Sequence, residues 1–93
     1  MSPNDFRLFL EVAETGSLTK VAAHRQTVQS HISRQIGDLE KRCGAPLFRR
    51  TGRGVVLTEF GQHVEQRVRA WVRESDELLA DIRQTANVPM GHV

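Results

Sequence analysis

Between Phe60 and Ile82 the chain returns an apolar residue to one helical face again and again. Phe60, Val64, Val68, Trp71, Leu78 and Ile82 are separated by 4, 4, 3, 7 and 4 residues, and Ser75 divides the seven into 4 and 3. Steps of three and four sustained in this way are the spacing of a coiled-coil seam. Thr58 precedes the run as a helix cap, so the pattern predicts one helix over 59–86, roughly 40 Å long at 1.5 Å per residue. In a chain of 93 residues that leaves only residues 1–58 for a head, and a head that small buries one modest core. It is too small to cover the whole stripe. The stripe either folds back on the head or pairs with a second copy, and its length favours the second copy. The expected dimer seam is Phe60, Val64, Val68, Trp71, Leu78 and Ile82, with Trp71 as its central anchor. Asn87, Pro89 and Gly91 end the helix and read as a linker.

The head reads as three helices and a hairpin. Ser2 and Pro3 suit the start of a helix, and Asp5 sits near the positive end of its dipole. Phe6, Phe9, Leu10 and Ala13 form its apolar face, and Gly16 ends it. Ser17 caps a short second helix whose apolar side is Leu18, Val21 and Ala22; the small pair Ala22-Ala23 admits a close neighbour. Arg25-Gln26 make a turn and Thr27 is the next expected cap. A third helix is expected over 28–43, with Ile32, Ile36, Leu39 and Cys43 as a buried stripe and Gln29, Ser30, Ser33, Arg34 and Gly37 facing away. Gly44 and Pro46 stop it. Leu47 to Arg50 and Val55 to Leu57 are two short extended runs joined by Thr51-Gly52-Arg53-Gly54, a hairpin with a basic tip.

Three helices with a tight turn between the second and third, then a basic hairpin, make a winged helix-turn-helix, so the fold class is mainly α. The major groove of B-DNA admits one helix, and side chains near its N-terminus reach base edges. Here those side chains are Gln29, Ser30, Ser33 and Arg34. Gln pairs with adenine through both amide groups, and Arg pairs with guanine or phosphate. Arg50 and Arg53 of the wing suit the phosphates or a narrow minor groove, while Arg49 alternates to the other face of its strand. Thr19 and Lys20 lie near enough to the second helix start to meet phosphate.

Charge agrees in direction. Residues 1–58 carry nine Lys/Arg against five Asp/Glu, and residues 59–93 carry four against six. The basic excess is on the head, which suits a polyanion. A single cysteine, Cys43, excludes an internal disulfide and fits a reducing compartment; its place at the end of an apolar stripe makes it a core residue rather than a redox sensor. No run is long and apolar enough for a membrane span, and the N-terminus lacks a signal-peptide layout, so a cytoplasmic chain with no membrane partner is expected. His24, His31, His63 and His92 share no helical face, so no metal is expected. No nucleophile–base set or carboxylate pair suggests catalysis, and no cofactor is implied. A protein-interaction module is the competing class, but its interfaces usually carry apolar anchors where this chain has Gln29, Ser33, Arg34 and Arg53. RNA binding would ask for an aromatic stacking platform, which is lacking.

The run from Phe6 to Gly61 resembles the N-terminal domain of LysR-type transcriptional regulators. The matching pieces are Phe9, Val12 to Ser17, Ala22, Gln29 to Ile36, Leu39-Glu40, Gly44 to Phe48, Arg50, Arg53 and Leu57-Thr58. The resemblance implies a bacterial DNA-binding head (1–58), a linker helix (59–86) that pairs two heads, and a hinge (87–93) toward an effector domain outside this chain. That domain would bind a small-molecule inducer, and the full-length assembly would be a tetramer. It also implies sequence-specific binding to double-stranded DNA as a homodimer on an interrupted inverted repeat, with Gln29, Ser30, Ser33, Arg34 and Arg53 as contacts. Two positions depart from the family pattern. The order Thr27-Val28 replaces an apolar residue followed by Ser or Thr, so that either the cap moves back one residue or Val28 offers a methyl contact to thymine. His31 stands where a small residue is usual and either packs against the second helix or meets DNA. The candidate contact set is therefore Val28, Gln29, Ser30, His31, Ser33, Arg34, Arg50 and Arg53.

Overall fold

The computed structural model describes residues 3–87. The expected cap at Ser2 and the hinge beyond Asn87 lie outside them. The elements follow in the order α1 (Pro3–Thr15), α2 (Leu18–His24), α3 (Gln29–Cys43), β1 (Phe48–Thr51), β2 (Gly54–Leu57) and α4 (Glu59–Ala86). β1 and β2 pair antiparallel in the register Phe48↔Leu57, Arg49↔Val56, Arg50↔Val55 and Thr51↔Gly54. The molecule measures 62 × 28 × 20 Å because α4 runs well past the head.

α1 is buried on a wider arc than its expected face of Phe6, Phe9, Leu10 and Ala13. Leu8 and Val12 are buried as well, and they put α1 between two core clusters. One gathers Leu8, Val12, Leu18, Val21, Ala22, Ile32 and Ile36, joining α1, α2 and the first half of α3. The other gathers Phe9, Leu39, Leu47 and Val68, joining α1, the end of α3, the root of the wing and α4. Phe48 packs against both, with its ring tilted at 5.4 Å from that of Phe9. The wing is thus seated on the core rather than hung from it.

The third helix starts one residue later than the cap at Thr27 implied. Val28 is the N-cap, in extended conformation and without a side-chain cap bond. Gln26, at φ 58, occupies the left-handed region, so the chain has already turned before Thr27 arrives. Thr27 donates its backbone N–H to the Ala22 carbonyl at 2.9 Å, tying it to the end of α2 rather than to α3. Gly44 ends α3 in the left-handed conformation at φ 92, as the sequence implied. Cys43 is half-buried, and burial together with the nearby Glu40 charge pushes its thiol pKa up, so it is a thiol at neutral pH and a poor nucleophile.

Thr58 joins three pieces of backbone. Its hydroxyl donates to the Pro46 carbonyl at 2.7 Å and accepts the Gly61 N–H at 2.9 Å, and its own N–H donates to the Leu47 carbonyl at 3.0 Å. Gly61 lies so close below that a Cβ there would overlap the Leu47 carbonyl oxygen. The first turn of α4 is therefore pressed directly onto the root of the wing. Replacing Thr58 by alanine removes the cap and the Pro46 tie together. Stability in urea should fall by about 1–2 kcal/mol with no change in m-value.

The stripe on α4 divides at Val68. Phe60 and Val64 are half-buried, and Val68 is buried within the second core cluster. The head thus already covers Val68, one of the residues expected in the seam. Trp71 is 41% exposed and sets its ring edge-on to Phe6 with centroids 5.7 Å apart, so it too leans on the head. From Arg73 onward every described residue is exposed, including Leu78 at 60% and Ile82 at 54%. Arg69 bonds Glu14 and Glu65, each at 3.1 Å, and Arg7 reaches Asp76 at 3.3 Å. Those bonds to Glu65 and Glu14 raise the Arg69 pKa.

Candidate nucleic-acid interface

The face presented by α3 is built from its polar arc. Ile32, Ile36 and Leu39 are buried toward the core, which turns Gln29, Ser30, His31 and Arg34 outward, all exposed, with Ser33 half-exposed at the edge. His31 is thus exposed rather than buried in the core. Val28 is 64% exposed at the head of the helix. A valine N-cap supplies no side-chain oxygen to the first backbone N–H groups of α3, and such uncapped donors at the positive end of a helix suit an anion.

The wing is fixed at its root and ordered at its tip. Val55 donates its N–H to the Gly16 carbonyl at 3.0 Å, which links β2 to the end of α1. Gly54 has φ 146, and a Cβ there would overlap that same Gly16 oxygen. Only glycine lets the strand pass this close. At the tip, the Thr51 hydroxyl accepts the Arg53 N–H at 3.2 Å. Arg49, Arg50 and Arg53 are all exposed.

Two grooves join helix to wing. One is lined by Ser17, Thr19, Gln29, Arg50, Arg53 and Val55, among others. The other includes Ser33, Ile36, Glu40, Arg49 and Arg50. Gln29, Ser33, Arg50 and Arg53 are thus brought to one surface. Ser30, His31 and Arg34 lie beside it on α3, and neither groove includes them. Arg49 lines the second groove together with Arg50. Thr19 shares the first groove, and its position after the Ser17 cap was the sequence signal for it.

The seven arginines of residues 1–58 divide by position. Arg7 pairs with Asp76, Arg25 with Glu11 at 2.8 Å, and Arg42 with Asp5 at 3.9 Å. Among the described residues Arg34, Arg49, Arg50 and Arg53 form no ion pair. Of these seven arginines the unpaired ones are Arg34 on α3 and Arg49, Arg50 and Arg53 of the wing. Glu40, for which the sequence showed no role beyond its place among the matching pieces, belongs to this region. Its carboxylate oxygen accepts the Leu47 N–H at 2.6 Å and the Phe48 N–H at 3.1 Å.

A helix-turn-helix whose third helix lies exposed beside a basic wing defines the winged class of DNA-binding domains. Residues 3–62 match the bacterial regulatory helix-turn-helix proteins of the lysR family, and the chain belongs to that family. It is 41% identical over 76 residues to the HTH-type transcriptional regulator DgdR of Burkholderia cepacia, covering 82% of this chain and 26% of that protein. Among solved structures it is similar to the BenM DNA-binding domain in complex with benA site 1 DNA, with a TM-score of 0.86, 30% identity and 95% and 99% of the two chains covered. It is also similar to the CbnR DNA-binding domain in a DNA complex, at a TM-score of 0.83, 28% identity and coverage of 94% and 100%. The chain spans about a quarter of the length of DgdR. No described helix is long and apolar enough to cross a membrane.

Proposed function

We propose that this chain binds double-stranded DNA sequence-specifically, as the reading head of a transcriptional regulator and without catalysis of its own. The observation that carries the reading is the division of the arginines. Those on other faces of the head are neutralised by carboxylates, while Arg34, Arg49, Arg50 and Arg53 are left for an external anion. α3 enters the major groove with Gln29, Ser30, Ser33 and Arg34 toward base edges. Val28 at the head of this set and His31 within it, both exposed, add to the preference at each half-site. Arg50 and Arg53 lie along phosphates or in the minor groove. Residues 1–58 are the head, and 59–86 the linker through which two copies pair. The paired heads read an interrupted inverted repeat with half-sites about 34 Å apart or a multiple of that. In the cytoplasm, an inducer would act through an effector domain beyond this chain, which would also complete a tetramer.

The test is fluorescence anisotropy across a salt series, using an A·T-rich interrupted palindrome and a scrambled duplex. The expected result is salt-sensitive binding to both, tighter on the palindrome. Arg53→Ala should weaken both alike and lower the magnitude of the salt slope by about 1. Arg34→Ala should cost about 1–3 kcal/mol on the palindrome and narrow its lead over the scrambled duplex. Arg42→Ala, at an already paired cation, should change neither. No binding to either duplex at low salt would overturn the proposal.

A further inference from the structure

We infer that Glu40 is a positioning residue for DNA recognition: its carboxylate locks the wing to the recognition helix. This rests on the DNA-binding reading above.

Ser33 and Glu40 are seven residues apart on α3, two turns, and so lie on one face of the helix. Both line the groove that Arg49 and Arg50 close from the wing side. Ser33 stands at the reading end and Glu40 at the root. One oxygen of Glu40 accepts both the Leu47 N–H at 2.6 Å and the Phe48 N–H at 3.1 Å. Leu47 is fully buried, so its N–H has little access to water as a substitute acceptor. Phe48 is the first residue of β1 and pairs with Leu57, the last of β2. The Leu47 carbonyl in turn accepts the Thr58 N–H. Glu40 therefore grips the wing where both of its strands meet the head.

Arg50 lies two residues beyond Phe48, about 7 Å along the strand at roughly 3.3 Å per residue. A shift at the root is carried to Arg50 and on to Arg53. The opposite flank is held by Val55 and Gly16, which connects the wing to α1 but not to α3. Beside the apolar packing of Phe48 and Val55 against the core, the side-chain hydrogen bonds that join α3 to the root of the wing among the described residues are those of Glu40, and they fix the register between the helix that reads bases and the arginines that hold phosphate. Because one oxygen takes both bonds, the amide oxygen of glutamine can take its place, whereas aspartate is one methylene too short to reach both N–H groups. The role is geometric and does not need the charge.

The experiment compares wild-type, Glu40→Gln, Glu40→Asp and Glu40→Ala chains by anisotropy on the scrambled duplex across salt, with circular dichroism at the assay temperature. The expected result is a wild-type salt slope for Glu40→Gln. For Glu40→Ala and Glu40→Asp the slope should fall in magnitude by about 1 to 2, one to two phosphate contacts. Loss of folded chain alone would raise the apparent Kd by the same factor at every salt concentration and leave the slope unchanged. If Glu40→Ala does not fold, Glu40→Asp carries the comparison. A folded Glu40→Ala or Glu40→Asp chain with the wild-type slope would overturn the inference, as would a reduced slope for Glu40→Gln. Failure of the wild-type chain to bind would instead strike at the DNA-binding reading itself.

Discussion

Replacing Leu78 and Ile82 together by aspartate should leave the head folded, make the chain monomeric in sedimentation, and weaken binding to a two-half-site duplex by about 10²- to 10⁴-fold. Affinity for a single half-site should change little. The reasoning starts from exposure: Leu78 and Ile82 are 60% and 54% exposed, and neither belongs to the core of the head. On the proposed pairing, a second copy is what buries them. Once two heads are joined, the second half-site is bound as an intramolecular event, and the gain from linkage is of the stated size. Trp71 is a poorer probe than its place in the stripe suggested. Its contact with Phe6 means that a charge there would disturb the docking of α4 as well as any seam. A double variant that still sediments as a dimer would place the seam elsewhere.

Phe9→Ala should cost about 3–5 kcal/mol of unfolding free energy. Small domains have about 5–15 kcal/mol in all, so the variant stands near the edge of folding. Phe9 is fully buried among Leu39, Leu47 and Val68 and meets the ring of Phe48. Truncation empties the point where α1, α3, α4 and the wing meet. Urea unfolding followed by circular dichroism measures the loss, and a change below about 1 kcal/mol would mean that this cluster does not carry the fold.

Most of the fold was legible because each element is closed by a residue with few other uses. Ser17 and Thr58 cap helices, Gly44 ends one, and the Thr51 to Gly54 turn joins two short extended runs. The polar arc of α3 was legible for the same reason as its core stripe, since burying Ile32, Ile36 and Leu39 turns Gln29 and Arg34 outward. What escaped depends on backbone partners or on which body covers a surface. Thr27 has the chemistry of a cap, but the left-handed Gln26 completes the turn early and hands that position to Val28. Leu8 and Val12 fell outside a single apolar face because α1 is packed from two sides. Phe60 and Val64 follow the same spacing as Leu78 and Ile82. That pattern is equally satisfied by the chain's own head or by another copy, and only the path of α4 separates the two. Glu40 borders a buried stripe and resembles any solvated helix residue until the N–H groups of Leu47 and Phe48 are placed against it.

The continuity of α4 also has a mechanical meaning. Val72 is the last of its side chains packed on the core, and the helix continues unbroken to Ala86, a further arm of about 21 Å at 1.5 Å per residue. Head and arm make a lever with its fulcrum at Trp71 and Val72, stayed on one side by the Arg7–Asp76 pair. A tilt of roughly 10° about that fulcrum sweeps the far end through about 4 Å for an arm of that rise per residue. In the proposed dimer the same tilt, imposed from the far end, would turn the two reading helices toward or away from each other. Torque on the arm would then become a change in the span between half-sites, with no rearrangement inside either head.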